Sequence, residues 1–367
     1  MANYINKYQT IEQYNADTTK QYPNVSLVAG ELVYVSTAPI DYSTHYLTFT
    51  ALDSGSFDYY SNDENGLVSY STDGGQTWST PSASVNIASV ASGDVIVWKG
   101  TYDPSSITGS SIGQFYASGN FNVEGNILSL VYGDNFAGQT ASVNLQSMFA
   151  DNYYIISAEN LVLPATALTT YCYSNLFNGC QNLATAPALP ATTLANYCYG
   201  DMFVGCTSLV TAPELPATTL VDGCYSGMFY GCTSLVTAPV LPATTLADSC
   251  YSGMFNGCES LTTAPVLPAT TLVEFCYSRM FNGCTSLTTA PELSATTLAE
   301  SCYYEMFRDC TSLNNIKCLA TDVSAIGCTS NWVDGVAATG TFSKAKSMRN
   351  WQTGADGIPT GWTVENA

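Results

Sequence analysis

Residues 163–188 read LPATALTTYCYSNLFNGCQNLATAPA, and near-copies begin at Leu189, Leu215, Leu241, Leu267 and Leu293. The period is 26 residues, held through six consecutive units without a gap. A degenerate seventh unit starts at Leu319 and sets Cys328 in step with Cys302, while Met148–Pro164 looks like a damaged first unit carrying two extra residues. Self-similarity at this period is the signature of a stacked array, and atypical end units are what its caps require.

Comparing the units with one another separates core from surface. Leu168, Leu194, Leu220, Leu246, Leu272 and Leu298 form one unvarying column, and Leu183, Leu209, Leu235, Leu261, Leu287 and Leu313 a second. Phe177, Phe203, Phe229, Phe255, Phe281 and Phe307 form a third, each preceded by Leu176 or a Met. Stacked on their equivalents at about 5 Å per rung, these rows predict a continuous hydrophobic core. Within a rung, residues 235–242 (LVTAPVLP) read as a short parallel strand closed by Pro. Ala-Thr-Thr-Leu-Ala reads as a turn, and residues 250–258 (CYSGMFNGC) as a helical turn ended by Gly257.

Thirteen of the 14 cysteines obey the repeat. Cys172, Cys198, Cys224, Cys250, Cys276, Cys302 and Cys328 make one column, and Cys180, Cys206, Cys232, Cys258, Cys284 and Cys310 the other; only Cys318 stands apart. No CxxC occurs and the chain has a single His, so a zinc site is not expected, and neither is any other metal or cofactor. Two readings remain: buried, reduced core rows, or a disulfide within each rung in oxidising surroundings.

Composition narrows the function. Nine Lys and Arg against 29 Asp and Glu give a net charge of −20, and no Lys or Arg lies between Lys99 and Arg279. Such a surface repels a phosphate backbone or an anionic membrane, so no nucleic-acid partner and no membrane partner are expected. Charged residues are only 10% of the chain against roughly 25% in an average domain, which leaves Thr, Ser, Asn, Gly and Tyr to build the surface. No apolar run reaches the roughly 18 residues of a membrane span. The first residues lack the pattern of a secretory signal, so the protein is expected to remain in the cytoplasm where it is made or to leave by lysis.

Ahead of the repeat, short alternating runs such as 46–50, 67–71 and 95–98 are separated by Gly, Asp and Ser, the spacing of a small β-sandwich. Within it Ser71-Thr72-Asp73-Gly74-Gly75-Gln76-Thr77-Trp78 matches the Asp-box. That motif is a folded hairpin in which Asp accepts hydrogen bonds from the turn, Gly supplies positive φ, and Trp packs beneath. A sialidase would also need converging arginines, and only Arg279, Arg308 and Arg349 exist, all outside this region. Gly109-Ser110-Ser111-Ile112-Gly113 fits Gly-x-Ser-x-Gly, but the one His, His45, lies upstream and not downstream as a nucleophile elbow requires. Asp222, Asp248, Glu274 and Glu300 fall in a variable column and read as solvated surface. No catalytic residues are assigned, and the chain is not expected to be an enzyme.

Variable columns are where an array carries specificity while its core stays constant. Tyr171, Tyr197 and Phe275 share one; Val204 and Tyr230 share another with Asn178, Asn256, Asn282 and Arg308. These five residues, Tyr171, Tyr197, Val204, Tyr230 and Phe275, are the candidate binding surface, suited to protein contact or to stacking on sugar rings. The unvarying Tyr173, Tyr199, Tyr225, Tyr251, Tyr277 and Tyr303 read as a structural ladder.

The pattern Leu-Pro, Thr-Thr-Leu, Cys-Tyr, Met-Phe, Gly-Cys-Thr-Ser-Leu, Thr-Ala-Pro resembles the BspA-like leucine-rich repeats of gut Bacteroidales and their phages. The resemblance extends to residues 122–136 and to the tail 357–364, covering about two thirds of the chain. It implies a solenoid adhesion or interaction protein. Residues 1–39, with 4–8 (YINKY) and 21–27 (QYPNVSL), resemble the N-terminal arm of virion proteins in Bacteroides phages, including crAss-like phages. The expected architecture is therefore mainly β with short helical turns: an attachment arm (1–40), an immunoglobulin-like β-sandwich (41–121), an N-terminal solenoid cap (122–162), leucine-rich repeats (163–330) and a C-terminal cap (331–367). The implied role is a head fibre or capsid decoration on the virion surface, assembled in the host cytoplasm. Its arm would bind other virion proteins and its solenoid a host-surface protein or glycan, and it would be a homodimer or trimer through arm and sandwich. A bacterial cell-surface adhesin of the same family and a tail-fibre component are the alternatives.

Overall fold

The computed structural model describes residues 40–61, 67–101, 112–349 and 351–367. The expected arm, apart from Ile40, and residues 109–111 of the Gly-x-Ser-x-Gly stretch lie outside the described residues.

The chain is mainly β, with several sheets and little helix. Among the described residues seven strands come first: β1 (Leu47–Ala51), β2 (Gly55–Ser61), β3 (Val68–Ser71), β4 (Ser84–Val90), β5 (Val95–Gly100), β6 (Gly113–Ala117) and β7 (Phe121–Asn126). β1, β2 and β6 alternate buried with less buried side chains, the pattern of sheets with one face on a core, while β5 buries Ile96, Val97 and Trp98 in succession. One sheet runs β3-β5-β1-β7 and the other β4-β2-β6. Phe49 of β1 holds them together, its ring centroid 5.4 Å from Phe57, 4.9 Å from Phe115 and 4.9 Å from Phe121. The strand order departs from the immunoglobulin pattern, in which the first strand pairs with the second. Here β1 lies between β5 and β7 because the connection from β1 to β2 crosses at once to the other sheet. The return crossing from β6 to β7 runs beside it, tied by Asp53, which accepts from the Asn120 backbone N–H at 2.7 Å.

Strand β7 belongs to two structures. It is antiparallel to β1 and parallel to β8 (Ile155–Ser157) and β9 (Leu161–Val162), so the boundary expected at 121/122 falls inside one strand. A four-residue helix, α1 (Ser129–Tyr132), follows. Its Ser129 hydroxyl accepts from Leu47 N–H and donates to the Trp98 carbonyl, both at 2.9 Å.

From there the rungs stack at the expected period. Two aromatic rows run through the core: Phe149 to Phe307, neighbours 5.3–5.8 Å apart, and Tyr173 to Tyr303, neighbours 5.8–6.3 Å apart. Phe149 also stacks on Phe115 of β6 at 5.8 Å, so the two-sheet core and the rung core are continuous. Each buried ring contributes roughly 1.5–3 kcal/mol by burial. At the far end Trp332 receives the Tyr row, stacking on Tyr303 at 6.0 Å and on Trp351 at 5.6 Å. Three parallel strands close the stack: β10 (Asn315–Cys318), β11 (Thr341–Lys344) and β12 (Thr363–Asn366).

Two local expectations are corrected. Residues 235–242 do not form a strand; the segment is extended and contributes one parallel bridge at Thr237 to each neighbour, Thr211 and Thr263. Pro239 and Pro242 have no N–H to give a ladder. The equivalent stretch 315–318 lacks proline and does become a strand, β10. Residues 250–258 are not helical either, but a run of tight turns. In the rung at 171–180, Tyr171, Tyr173, Asn175, Phe177 and Gly179 donate their N–H groups to carbonyls 25 residues on, at 2.7–3.1 Å. The alternating Cys172, Ser174, Leu176, Asn178 and Cys180 donate back three residues, at 3.0–3.3 Å. Half of these donors therefore hold neighbouring rungs together, which an α-helix, satisfying its donors internally, cannot do.

All 14 cysteines are buried and free. In the second column each thiol donates to the carbonyl of the Phe one rung back: Cys180 to Phe149, Cys206 to Phe177, Cys232 to Phe203, Cys258 to Phe229, Cys284 to Phe255 and Cys310 to Phe281, at 2.9–3.2 Å. The same carbonyls also accept the backbone N–H three residues on, as from Cys180 to Phe177 at 3.0 Å, so the thiol, a small apolar group with one weak donor, adds a second bond to a carbonyl that is already paired.

Candidate binding surface

The turn run forces an unusual backbone. Every fourth residue is left-handed, giving columns at 171, 175 and 179 and their repeats. All 13 non-glycine residues with positive φ among the described residues fall in these columns. The last is nearly all Gly, including Gly179, Gly205, Gly231, Gly257 and Gly283, with Asp151 (φ 57°) and Asp309 (φ 60°) the exceptions. The first holds Tyr171 (59°), Tyr197 (54°), Gly223, Ser249, Phe275 (53°), Ser301 and Gly327. A bulky residue there costs roughly 1–2 kcal/mol relative to the right-handed region.

The structure brings two of the candidates together. Tyr171 and Tyr197 stack with centroids 5.3 Å apart and planes 11° apart, and they are 44% and 38% exposed. Phe275, 36% exposed, stands three rungs beyond Tyr197 in the same column, with Gly223 and Ser249 between. Tyr230 is exposed and Val204 half-buried. Their column is separated from the tyrosines by the middle left-handed column, so these two do not join the Tyr171–Tyr197 pair.

Sequence reasoning missed that middle column: Asn175, Asp201, Gly227, Gly253, Arg279, Glu305 and Asn331. Its mixture of Gly, Asn and Asp was the available signal, since those residues tolerate positive φ best. Asp201 lies against Gly227, where a Cβ would collide with its carboxylate. Glu305 is buried yet accepts from Arg279 Nε at 2.8 Å and Arg308 at 3.1 Å. Burial raises its pKa, but the Arg279 hydrogen bond and the two positive charges outweigh it and leave the carboxyl below its usual value. Asp222, Asp248, Glu274 and Glu300 line up on consecutive rungs one residue before the Tyr171 column, their backbone carbonyls accepting from Tyr197, Gly223, Ser249 and Phe275. The candidate surface is thus aromatic with an acidic border.

The Asp-box folds as the motif implies. Asp73 accepts from the N–H groups of Gln76 and Thr77 at 3.0 and 2.9 Å and from the Ser71 and Thr77 hydroxyls, both at 2.6 Å. Led by the Ser71 bond, these hold its carboxyl far below the ordinary range. Gly74 and Gly75 take φ of 73° and 90°. Lys99 sits 4.2 Å over the Trp78 ring and 2.8 Å from Asp134, which also accepts from Tyr46. Burial, with Asp134 beside it, pushes Tyr46 up to about 12. Every group here is occupied by a neighbour, the arrangement of a clamp. His45 packs edge-on to Tyr42 at 5.6 Å. No cluster of three or more metal-ligating side chains occurs among the described residues, and no helix among them is long and apolar enough to cross a membrane. No protein-family model, no curated protein and no solved structure matches this chain.

Proposed function

We propose that this chain is a non-enzymatic adhesion protein of a phage particle. In this reading a two-sheet sandwich and a BspA-like leucine-rich-repeat solenoid project from the capsid as a head fibre or decoration. The carrying observation is the retention of Tyr171, Tyr197 and Phe275 in a left-handed column. Gly223 and Gly327 fill equivalent positions without strain, so the fold does not require rings there. Strained, exposed aromatic residues on a rigid scaffold are the economy of a binding surface. The virion assignment rests on the sequence resemblances alone.

Purified particles analysed by mass spectrometry should contain the polypeptide at tens of copies or more. About a dozen or fewer would move it to the tail, and absence from particles with presence on host cells would leave the adhesin reading. Host-surface extracts should be retained by immobilised protein and lost with Tyr171→Ser/Tyr197→Ser; undiminished retention would remove these rings from the surface.

A further inference from the structure

The extended side of the stack differs from the turn side. Val240 and Val266, on neighbouring rungs, are 79% and 78% exposed, with Val210 and Val236 beside them at 48% and 44%. Val236 N–H bonds to the Val210 carbonyl at 3.0 Å, and the Thr211–Thr237–Thr263 bridges hold the three segments edge to edge. The four valines therefore share one face. Single exposed aliphatic residues need no explanation, but a contiguous apolar group rimmed by polar residues marks a contact surface.

Read along the stack, the outermost column is Glu214, Val240, Val266, Glu292, the same in either direction. Lys317 Nζ lies 2.9 Å from Glu292 Oε2. We propose that this face is an interface between two copies of the chain, related by a two-fold axis passing between Val240 and Val266. The axis lays Val240 on Val266 of the second copy and Val266 on its Val240, the self-complementary condition of an isologous contact, and sets Val236 and Val210 opposite Thr262 and Thr288. It also carries Glu214 to the Glu292–Lys317 pair of the second copy, where the ammonium is shared between two carboxylates.

Charge selects the same face. Two chains of net charge −20 repel wherever carboxylates are dense. The turn side carries Asp222, Asp248, Glu274 and Glu300 in an unbroken row, whereas on segments 210–214, 236–240, 262–266 and 288–292 the only acids are Glu214 and Glu292. Four rungs at about 4.8 Å by five extended residues at about 3.3 Å give roughly 300 Å² of plane per copy, small for a permanent interface. The dimer is accordingly weak and concentration-dependent.

Sedimentation of the full chain from about 2 to 200 µM, spanning the micromolar range of weak association, tests this. The wild type should pass from monomer to dimer. Val240→Glu/Val266→Glu should remain monomeric throughout, with unchanged circular dichroism and with its thiols still protected, which shows that the fold survives. Lys317→Glu should weaken the dimer about tenfold, and Glu214→Lys added to the same chain should restore it. A wild type that stays monomeric to the top of the range overturns the proposal. So does a dimer that withstands the paired valine substitutions, or a Lys317→Glu loss that Glu214→Lys does not repair.

Discussion

The ring of Tyr197 lies over the α-carbon of Gly223, one rung on, so closely that a methyl group at 223 would collide with its Cε1 and Cδ1 atoms. As Tyr197 is placed, its ring leaves no room for a side chain at 223, whereas Tyr171 stacks on Tyr197 one rung on in the same column. Gly227 under Asp201, Gly179 under Asp151 and Gly335 under Asp309 repeat the relationship.

Gly223→Ala and Gly253→Ala separate strain from collision. Both positions have φ near 60°, but nothing lies within 4 Å of a Cβ at 253. Gly253→Ala should cost about 1 kcal/mol for the left-handed backbone, and Gly223→Ala about 1–3 kcal/mol more for displacing the ring. Denaturant titration of the two variants measures the difference. Equal losses would mean that Tyr197 moves aside without cost.

Alkaline pH should destabilise the stack. Burial pushes the thiols of Cys198, Cys232, Cys250, Cys302, Cys310 and Cys318 up to about 12, against about 8.5 for an exposed Cys. The native state then keeps protons that the unfolded chain has released. Stability is full below about pH 8.5 and falls as pH rises toward 12, by about 1.4 kcal/mol per pH unit for each such thiol. Thermal melts between pH 7 and 10.5 should show the decline. At pH 7.5 a thiol reagent should label the native protein poorly and the denatured protein at all 14 cysteines.

Removing a hydroxyl should stabilise. Tyr225 is buried, and its hydroxyl has no hydrogen-bond partner among the described residues; an unpaired buried polar group costs about 1–3 kcal/mol. Tyr225→Phe keeps the stacking on Tyr199 and Tyr251 and should raise stability by about 1 kcal/mol. A lower melting temperature would show that the hydroxyl is satisfied after all.

Glu305→Gln should cost about 1–3 kcal/mol, below the full cost of breaking a buried pair because its arginine partners are half exposed. The folded carboxyl is held below its unfolded pKa, so its contribution is present above about pH 4.3 and fades as pH falls below that. Melting wild type and variant at pH 7 and pH 3 should show the gap closing in acid.

The period, the Leu, Phe, Cys and Tyr columns, and the Asp-box hairpin were legible in the sequence for one reason. A stacked core sets like on like, so each buried residue type must recur at the rung spacing, and the hairpin is specified by neighbours within eight residues. The Tyr171 column was visible as variable. What the sequence could not show is where each rung's hydrogen bonds go, because half of the turn donors find partners 25 residues away and the helical reading satisfied them locally. The Cys–Phe carbonyl bond, the ring of Tyr197 over Gly223, the Glu305 cluster and the sharing of β7 between two sheets all join residues of different rungs or strands. They arise only when the stack closes: a left-handed residue every fourth position turns alternate N–H groups outward along the axis, and that orientation is a property of the assembled rungs.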